Sequence, residues 1–174
     1  MQVIHSKPSF LRWLRQLSFV PYFQQRWLNS ESKARLTQAI TQAEQHHFAE
    51  IVLIIENALP LSSAYHQDCR ARALDLFGLY RVWDTQYNSG VLIYLNLCEH
   101  QLHIVADRGI DAVVSDETWQ GLCQQTIEKF KQQQQIDALY ELLNQIAMLL
   151  KDFHINDHHV IDVNELPNEV IYIR

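Results

Sequence analysis

The most regular pattern in the chain is a pair of apolar segments separated by a polar break. Residues 91–97 are almost entirely apolar and rich in β-forming side chains, as in a strand that is covered on both faces. The polar residues 99–100 interrupt the pattern, and residues 101–105 resume it. This pattern predicts a β-hairpin whose outer segments, residues 88–90 and 107–111, lie together at one end of the two strands.

The rest of the chain alternates between strand and helix patterns. Residues 51–55 are a short, continuous, β-branched run that predicts a central strand. Helical spacing predicts four helices: one over residues 32–47, one from Ser62 or Ser63 to Tyr80, one over 116–133 and one over 136–150. Ser115 is the predicted N-cap of the third helix. Residues 170–173 have the pattern of a closing strand. Strand, helix and strand make a right-handed βαβ unit. The predicted fold is α/β, a three-layer sandwich in which a mixed β-sheet, the βαβ unit plus the β-hairpin, carries helices on both faces.

The N-terminal segment has a pattern of its own. Residues 9–20 predict a short amphipathic helix, with Phe10, Trp13, Leu14 and Leu17 on one side and Arg12, Arg15 and Gln16 on the other. Two interpretations stay open: the aromatic side chains pack onto the domain as a clamp, or residues 9–28 contact a membrane surface or a partner. We expect residues 1–30 to form this helix and clamp, and residues 31–174 to form a single domain.

Composition narrows the class of protein. The 174 residues suit one domain, and the net charge of −6 argues against nucleic-acid binding, which needs clustered cations. No segment approaches the roughly 20 apolar residues that span a bilayer, so the sequence predicts no integral membrane protein. We expect no export signal, because Arg12 and Arg15 interrupt the only apolar run near the N-terminus. The three cysteines are interpreted as buried free thiols, which suit a reducing compartment. We therefore expect a cytoplasmic protein.

Polar side chains are predicted to gather where the strands begin and end. Glu50 precedes the first strand, and the same edge of the sheet receives Asp84, Asn88, Asp107, Asp111 and Asp116. Carboxylate oxygens suit Ca²⁺ or Mg²⁺. The alternative is a purely structural corner, in which Asp107 pairs with Arg108 and Glu50 caps backbone amides or pairs with Arg81.

A second polar group follows the last predicted helix. It contains His154, Asp157, His158 and His159. If the segment is helical, His154 and His158 share a face and could form a zinc-binding pair; the alternative is a solvated or partly packed loop. No pattern typical of a nucleophile elbow, a catalytic cysteine or a phosphate-binding glycine loop is present, so no catalytic residue is assigned.

The hairpin and its surroundings also resemble a known family. Asn88-Ser-Gly90-Val-Leu-Ile-Tyr-Leu, then Asp107-Arg108-Gly109-Ile110 and a helix with Trp119 and Phe130, are similar to the TPM domain. The ending Asn164-Glu-Leu-Pro167 resembles its bacterial branch without a transmembrane tail, and the likeness runs from about Lys33 to the C-terminus. Gly90, Gly109 and Trp119 are the structural motif residues. The chain departs from the family pattern at Ala49 and Ala106, where glycine is usual.

The resemblance implies three functions. The one we favour is a non-catalytic accessory module for membrane or protein-complex maintenance, peripheral to the inner membrane, with a membrane-anchored TPM protein or a LemA-type protein as partner. The second is a divalent-metal-dependent acid phosphatase, in which Asp84, Asp107, Asp111 and Glu50 hold the metal, and Arg108 with Asn88 binds the anion. The third is a Ca²⁺-binding module without turnover.

Overall fold

The computed structural model describes residues 7–21, 26–45, 48–151 and 165–174. Within these ranges the elements, in chain order, are α1 (Phe10–Ser18), α2 (Ser30–Glu44), β1 (Glu50–Glu56), α3 (Cys69–Leu79), β2 (Gly90–Asn96), β3 (Gln101–Ala106), α4 (Arg108–Asp111), α5 (Asp116–Lys131), α6 (Gln135–Leu150) and β4 (Ile171–Ile173). The predicted βαβ unit, hairpin and late strand are all confirmed.

The four strands form one mixed sheet in the order β3-β2-β1-β4. β1 pairs in parallel with β2 on one side and with β4 on the other, whereas β2 and β3 pair antiparallel. β1 and β2 are therefore the two inner strands, and all their residues are buried. This burial explains why both segments are apolar without alternation.

Alternate side chains of the inner strands enter two separate cores. Ile51 and Leu53 of β1 pack in the core that contains α2, α5 and α6. Val52 and Ile54 pack in the core on the other face, which contains α3. Since successive residues of a strand point to opposite faces, one strand supplies both cores. The predicted three-layer sandwich is confirmed.

Side-chain caps fix where the helices begin. Ser9 accepts a hydrogen bond from the backbone N–H of Arg12 at the start of α1. Ser115 does the same for Thr118 at the start of α5. Each cap satisfies a backbone donor that has no partner within its helix.

α3 begins later than predicted, at Cys69 instead of Ser62 or Ser63. Residues 61–66 form turns, and Asp68 caps the helix by accepting from the N–H of Ala71. The turns start at Pro60, whose carbonyl accepts from the N–H groups of residues 63 and 64. Within this segment the N–H groups of residues 63, 64, 66 and 67 thus have backbone acceptors without forming a helix.

Candidate functional site

The outer ends of β1, β2 and β3 meet at one edge of the sheet, which we call the sheet rim and define by Glu50, Asn88 and Asp107. Glu50 lies opposite Gly90 in the parallel pairing. The backbone N–H of Asp107 donates to the carbonyl of Gly90 over 2.8 Å. The predicted placement of these residues on a common rim is confirmed, because the parallel strands start where the antiparallel strand ends.

Asp107, Arg108 and Asn88 form a hydrogen-bonded corner of the rim. Oδ1 of Asp107 accepts from the backbone N–H of Arg108 over 2.7 Å and so caps α4. Nε of Arg108 donates to Oδ1 of Asn88 over 2.8 Å. Asn88 has a φ of 53°, a left-handed conformation that asparagine tolerates better than most residues. Arg108 is therefore oriented by an amide and is not paired with Asp107 through its guanidinium.

Two motif glycines allow close backbone approach at this corner. A Cβ on Gly90 would lie 1.8 Å from the carbonyl oxygen of Val82, and a Cβ on Gly109 would lie 2.7 Å from that of Asn88. The N–H of Gly109 also donates to the carbonyl of Asn88 over 3.0 Å. Close packing against backbone carbonyls therefore explains why glycine is needed at both positions, independently of any ligand.

Glu50 is buried and holds the C-terminal segment. Its side chain is only 6% exposed, and its two oxygens accept the backbone N–H groups of Glu165 and Leu166 over 3.2 Å each. This is the amide-capping role that the sequence offered as the structural alternative. A metal bound by Glu50 would compete with these two hydrogen bonds.

The other candidate carboxylates are dispersed around the rim. Asp84 pairs with Arg81 over 2.6 Å on the surface, and Asp111 and Asp116 are exposed. Oδ2 of Asp107 is buried and has no hydrogen-bond partner within the described residues. In the described ranges, no group of three or more His, Cys, Asp and Glu side chains is placed to hold a metal ion. The predicted metal and anion ligands stay predictions.

The histidine-rich group lies outside the described residues. His154, Asp157, His158 and His159 all fall within 152–164, for which the structure gives no description. The zinc pair and the solvated loop therefore both stay predictions.

The cysteines are free thiols that stay protonated at neutral pH. Burial raises the pKa of Cys98 and Cys123 to about 11, and it raises that of Cys69 further. A protonated thiol is a weak nucleophile. The predicted burial is confirmed for Cys69 and Cys98, whereas Cys123 is partly exposed.

α1 attaches to the domain through its polar side. Nε of Arg12 donates to the carbonyl of Ala64 over 2.7 Å. Gln16, only 6% exposed, accepts the N–H of Leu59 over 2.9 Å and donates to the carboxylate of Glu99. These contacts satisfy backbone and carboxylate groups that would otherwise be desolvated without partners.

The apolar side of α1 faces mostly outward. Trp13 packs against the α3 core, as the clamp interpretation predicts. Five other apolar side chains of this segment are between 40% and 75% exposed: Phe10, Leu11, Leu14, Leu17 and Val20. No helix within the described ranges is long and apolar enough to cross a bilayer. Sequence periodicity identified the two sides of α1 but gave no signal for which one is buried.

Two examples of solved structures that share this fold are NMR structures of bacterial proteins. The NMR structure of the BA42 protein from the psychrophilic bacterium Bizionia argentinensis is 27% identical, with a TM-score of 0.71, and the match covers 83% of this chain and 94% of that one. The solution NMR structure of the N-terminal domain of a protein from P. gingivalis is 13% identical, with a TM-score of 0.63, over 77% of this chain and 85% of that one. The second likeness shows the fold alone.

Sequence comparison identifies the family. A search of curated proteins gave no match. The profile described as the TPM domain matches residues 22–149, which is well over half of the chain and includes the hairpin and the corner at Asp107. The chain therefore belongs to the TPM domain family.

Proposed function

We propose that this TPM-domain protein is a non-catalytic interaction module that docks on an anionic membrane surface through α1. The observation that carries the proposal is the orientation of α1. Its polar side chains Arg12 and Gln16 bind the domain, while its apolar side chains other than Trp13 are 40% to 75% exposed. An exposed contiguous apolar surface of this kind is typical of an interaction site.

The surroundings of α1 favour a lipid surface as the occupant. Leu61 and Tyr65, on the turn that α1 contacts, extend the exposed apolar surface. Lys7 places a cation beside it in a protein whose net charge is −6, and Arg15, although paired with Glu99 over 2.7 Å, keeps 58% of its side chain exposed. Interfacial helices bind through buried apolar area plus attraction to anionic lipids, with about 1 kcal/mol from each cation near the surface.

Within this proposal the protein works in the cytoplasm at the inner membrane. A membrane-anchored TPM protein or a LemA-type protein is the partner that we propose it meets there. Docking would restrict the search for such a partner to the membrane plane, which raises the effective concentration of the two proteins.

Vesicle sedimentation tests the docking. Full-length protein should pellet with vesicles that contain phosphatidylglycerol and stay in solution with phosphatidylcholine alone or at high salt. The double variant Leu14→Gln/Leu17→Gln should lower the partition coefficient at least about tenfold, because each leucine contributes about 1.5 kcal/mol or more when fully buried. The control Leu79→Gln/Met148→Gln changes two apolar residues on other helices that are more exposed, at 71% and 76% against 40% and 56% for Leu14 and Leu17.

Equal partition of the two double variants would contradict docking through α1. If the wild-type protein does not sediment with anionic vesicles at low salt, the proposal that α1 binds a lipid surface is contradicted. If it then captured a membrane-anchored protein only when Leu14 and Leu17 were intact, α1 would be a protein-binding site instead.

A divalent cation at Asp107 is a second candidate, favoured by the buried Oδ2 of this residue, which has no hydrogen-bond partner in the part of the chain that the structure describes. Ca²⁺ or Mg²⁺ at a hundred times its dissociation constant should stabilise the fold by about 2.7 kcal/mol, read as a rise in melting temperature. Asp107→Asn should abolish the rise, and the exposed Asp137→Asn should retain it. Phosphate release from an aryl phosphate that survives both Asp107→Asn and Arg108→Ala would exclude the phosphatase form of this candidate.

A further inference from the structure

A large cavity lies at the opposite end of the sheet from the rim. Its volume is about 580 Å³, within the range of small-molecule sites. Leu95 and Leu97, at the carboxyl end of β2, form part of its lining, together with the hairpin turn and the C-terminal end of α5. Ligands of α/β proteins bind preferentially outside the carboxyl ends of the strands. None of the residues discussed for the rim or for α1 docking lines this cavity.

One part of the lining is apolar and aromatic. Trp27 and Phe130 meet edge to face, with ring centroids 5.7 Å apart and planes at 88°. Both rings pack against the core while remaining partly exposed. Together with Ile127, these rings form an apolar wall that suits an aromatic ring or an acyl chain of a ligand better than a fully polar ligand.

The remaining lining is polar and carries two cations. Arg26 and Lys131 line the cavity together with His100 and three amide side chains, and no acidic residue does so among the described residues. This is unexpected in a chain with 20 acidic and 14 basic side chains. Lys131 pairs with Glu128 over 2.7 Å, but both side chains are more than half exposed, so the pair contributes little and an anion can displace it.

The backbone beside the cavity is held in an uncommon conformation. His100 has a φ of 52° and Gln133 a φ of 62°, in the left-handed region. Gln133 follows α5, where the N–H of Gln134 donates to the carbonyl of Lys129, an ending that usually has glycine at this position. Here glutamine takes the place of glycine and puts an amide side chain on the cavity wall. Such outliers are found preferentially at ligand sites.

From these observations we infer that the cavity binds a small organic anion with an apolar body, either a carboxylate or a phosphate ester. The Trp27 and Phe130 rings contact the apolar body. Arg26 and Lys131 bind the anionic group, and the Gln133 amide donates a further hydrogen bond. The inference does not depend on α1 docking.

Calorimetric titration of the full chain tests the inference with three matched probes: 2-naphthoate, 1-naphthyl phosphate and neutral 2-naphthamide. Both anions should bind at least about tenfold tighter than the amide, because only they gain charge-assisted contacts. The tighter of the two anions identifies the class of ligand. In ¹H–¹⁵N NMR spectra, the indole N–H of Trp27 and the amides of His100 and Gln133 should shift on titration.

Charge variants complete the test. Arg26→Gln/Lys131→Gln should reduce anion affinity to that of the amide and leave amide affinity unchanged. The control Arg35→Gln/Lys151→Gln removes the same charge from exposed positions outside the cavity and should retain wild-type affinity. Gln133→Gly should raise the melting temperature, by relieving the left-handed conformation, and still weaken anion binding.

Three results would overturn the inference. The first is that neither anion binds at concentrations up to about 1 mM, since a dissociation constant of this size corresponds to a binding free energy of only about 4.1 kcal/mol. The second is equal affinity for the anions and the amide. The third is a set of NMR shifts centred away from Trp27 and His100.

Discussion

Replacing Gly90 by alanine should destabilise the protein strongly, while the same change at Gly121 should stabilise it. Gly90 begins β2 at the sheet rim, and an added Cβ would lie 1.8 Å from the carbonyl oxygen of Val82. The nearest atom belongs to the backbone, so no side-chain rotation can relieve the overlap. At Gly121, inside α5, no atom other than those of the adjoining residues and the helix's own backbone lies within 4 Å of the added Cβ in the part of the chain that the structure describes.

The magnitudes follow from these distances. Overpacking of a close-packed site costs typically 1–3 kcal/mol, and we expect Gly90→Ala to cost about 3 kcal/mol or more because β2 or the loop at Val82 must move. Gly109→Ala, with a Cβ 2.7 Å from the Asn88 oxygen, should cost about 1–3 kcal/mol. Gly121→Ala should gain about 0.5–1 kcal/mol, since alanine loses less entropy in a helix.

Urea unfolding followed by circular dichroism measures all three variants. With a slope of about 2 kcal/mol per molar urea, Gly90→Ala should lower the midpoint by about 1.5 M, and Gly121→Ala should raise it by about 0.3–0.5 M. The expected order of stability is Gly121→Ala, wild type, Gly109→Ala, Gly90→Ala. A Gly90→Ala midpoint within error of wild type would refute the packing argument at the rim.

Three further predictions concern polar groups that are buried or partly buried. Arg72 pairs with the fully buried carboxylate of Glu56 over 2.6 Å, so Arg72→Met should lower the free energy of unfolding in urea by about 3–5 kcal/mol. The double variant Arg72→Met/Glu56→Gln should recover much of this loss. A loss under about 1 kcal/mol in the single variant would contradict the importance of the buried pair. Burial, with the nearby Arg70, lowers the pKa of His103 from 6.5 to about 4. The unfolded chain therefore binds the proton more tightly than the folded one. The contribution of neutral His103 to the free energy of unfolding is complete above pH 6.5 and is lost as the pH falls towards 4, by at most about 3 kcal/mol. His103→Gln should remove this part of the pH dependence of stability. Glu50→Ala leaves two backbone amides of the C-terminal segment without this acceptor. It should therefore lower the free energy of unfolding by about 1–3 kcal/mol and speed amide hydrogen exchange at residues 165 and 166. Unchanged exchange at these two amides would count against the capping role.

Local patterns in the sequence were sufficient for the strands and for most helix starts. The run at residues 91–97 predicted β2, which spans Gly90–Asn96, because an inner strand needs apolar side chains on both faces. Ser115 was recognisable as a cap because a hydroxyl before an acidic first turn satisfies the free N–H groups. Both features depend on residues that are close in sequence.

Long-range partners were not recognisable. Glu50 accepts from amides 115 and 116 residues away, and nothing near Glu50 distinguishes such a cap from a metal ligand. The start of α3 was also mispredicted, because Pro60 organises turns that use the residues expected to begin the helix. In both cases the choice depends on which backbone groups need partners after the chain has folded.

The sequence by itself determined the α/β sandwich, the hairpin and the meeting of Glu50, Asn88 and Asp107 at one rim, since periodicity and strand connection are local and directional properties. Only the tertiary structure decided that Glu50 caps the C-terminal segment, that the apolar side of α1 faces water, and that Arg26, His100 and Lys131 line one cavity. The physical reason is that an amphipathic pattern defines two faces of an element, whereas the unsatisfied groups of its neighbours decide which face is buried.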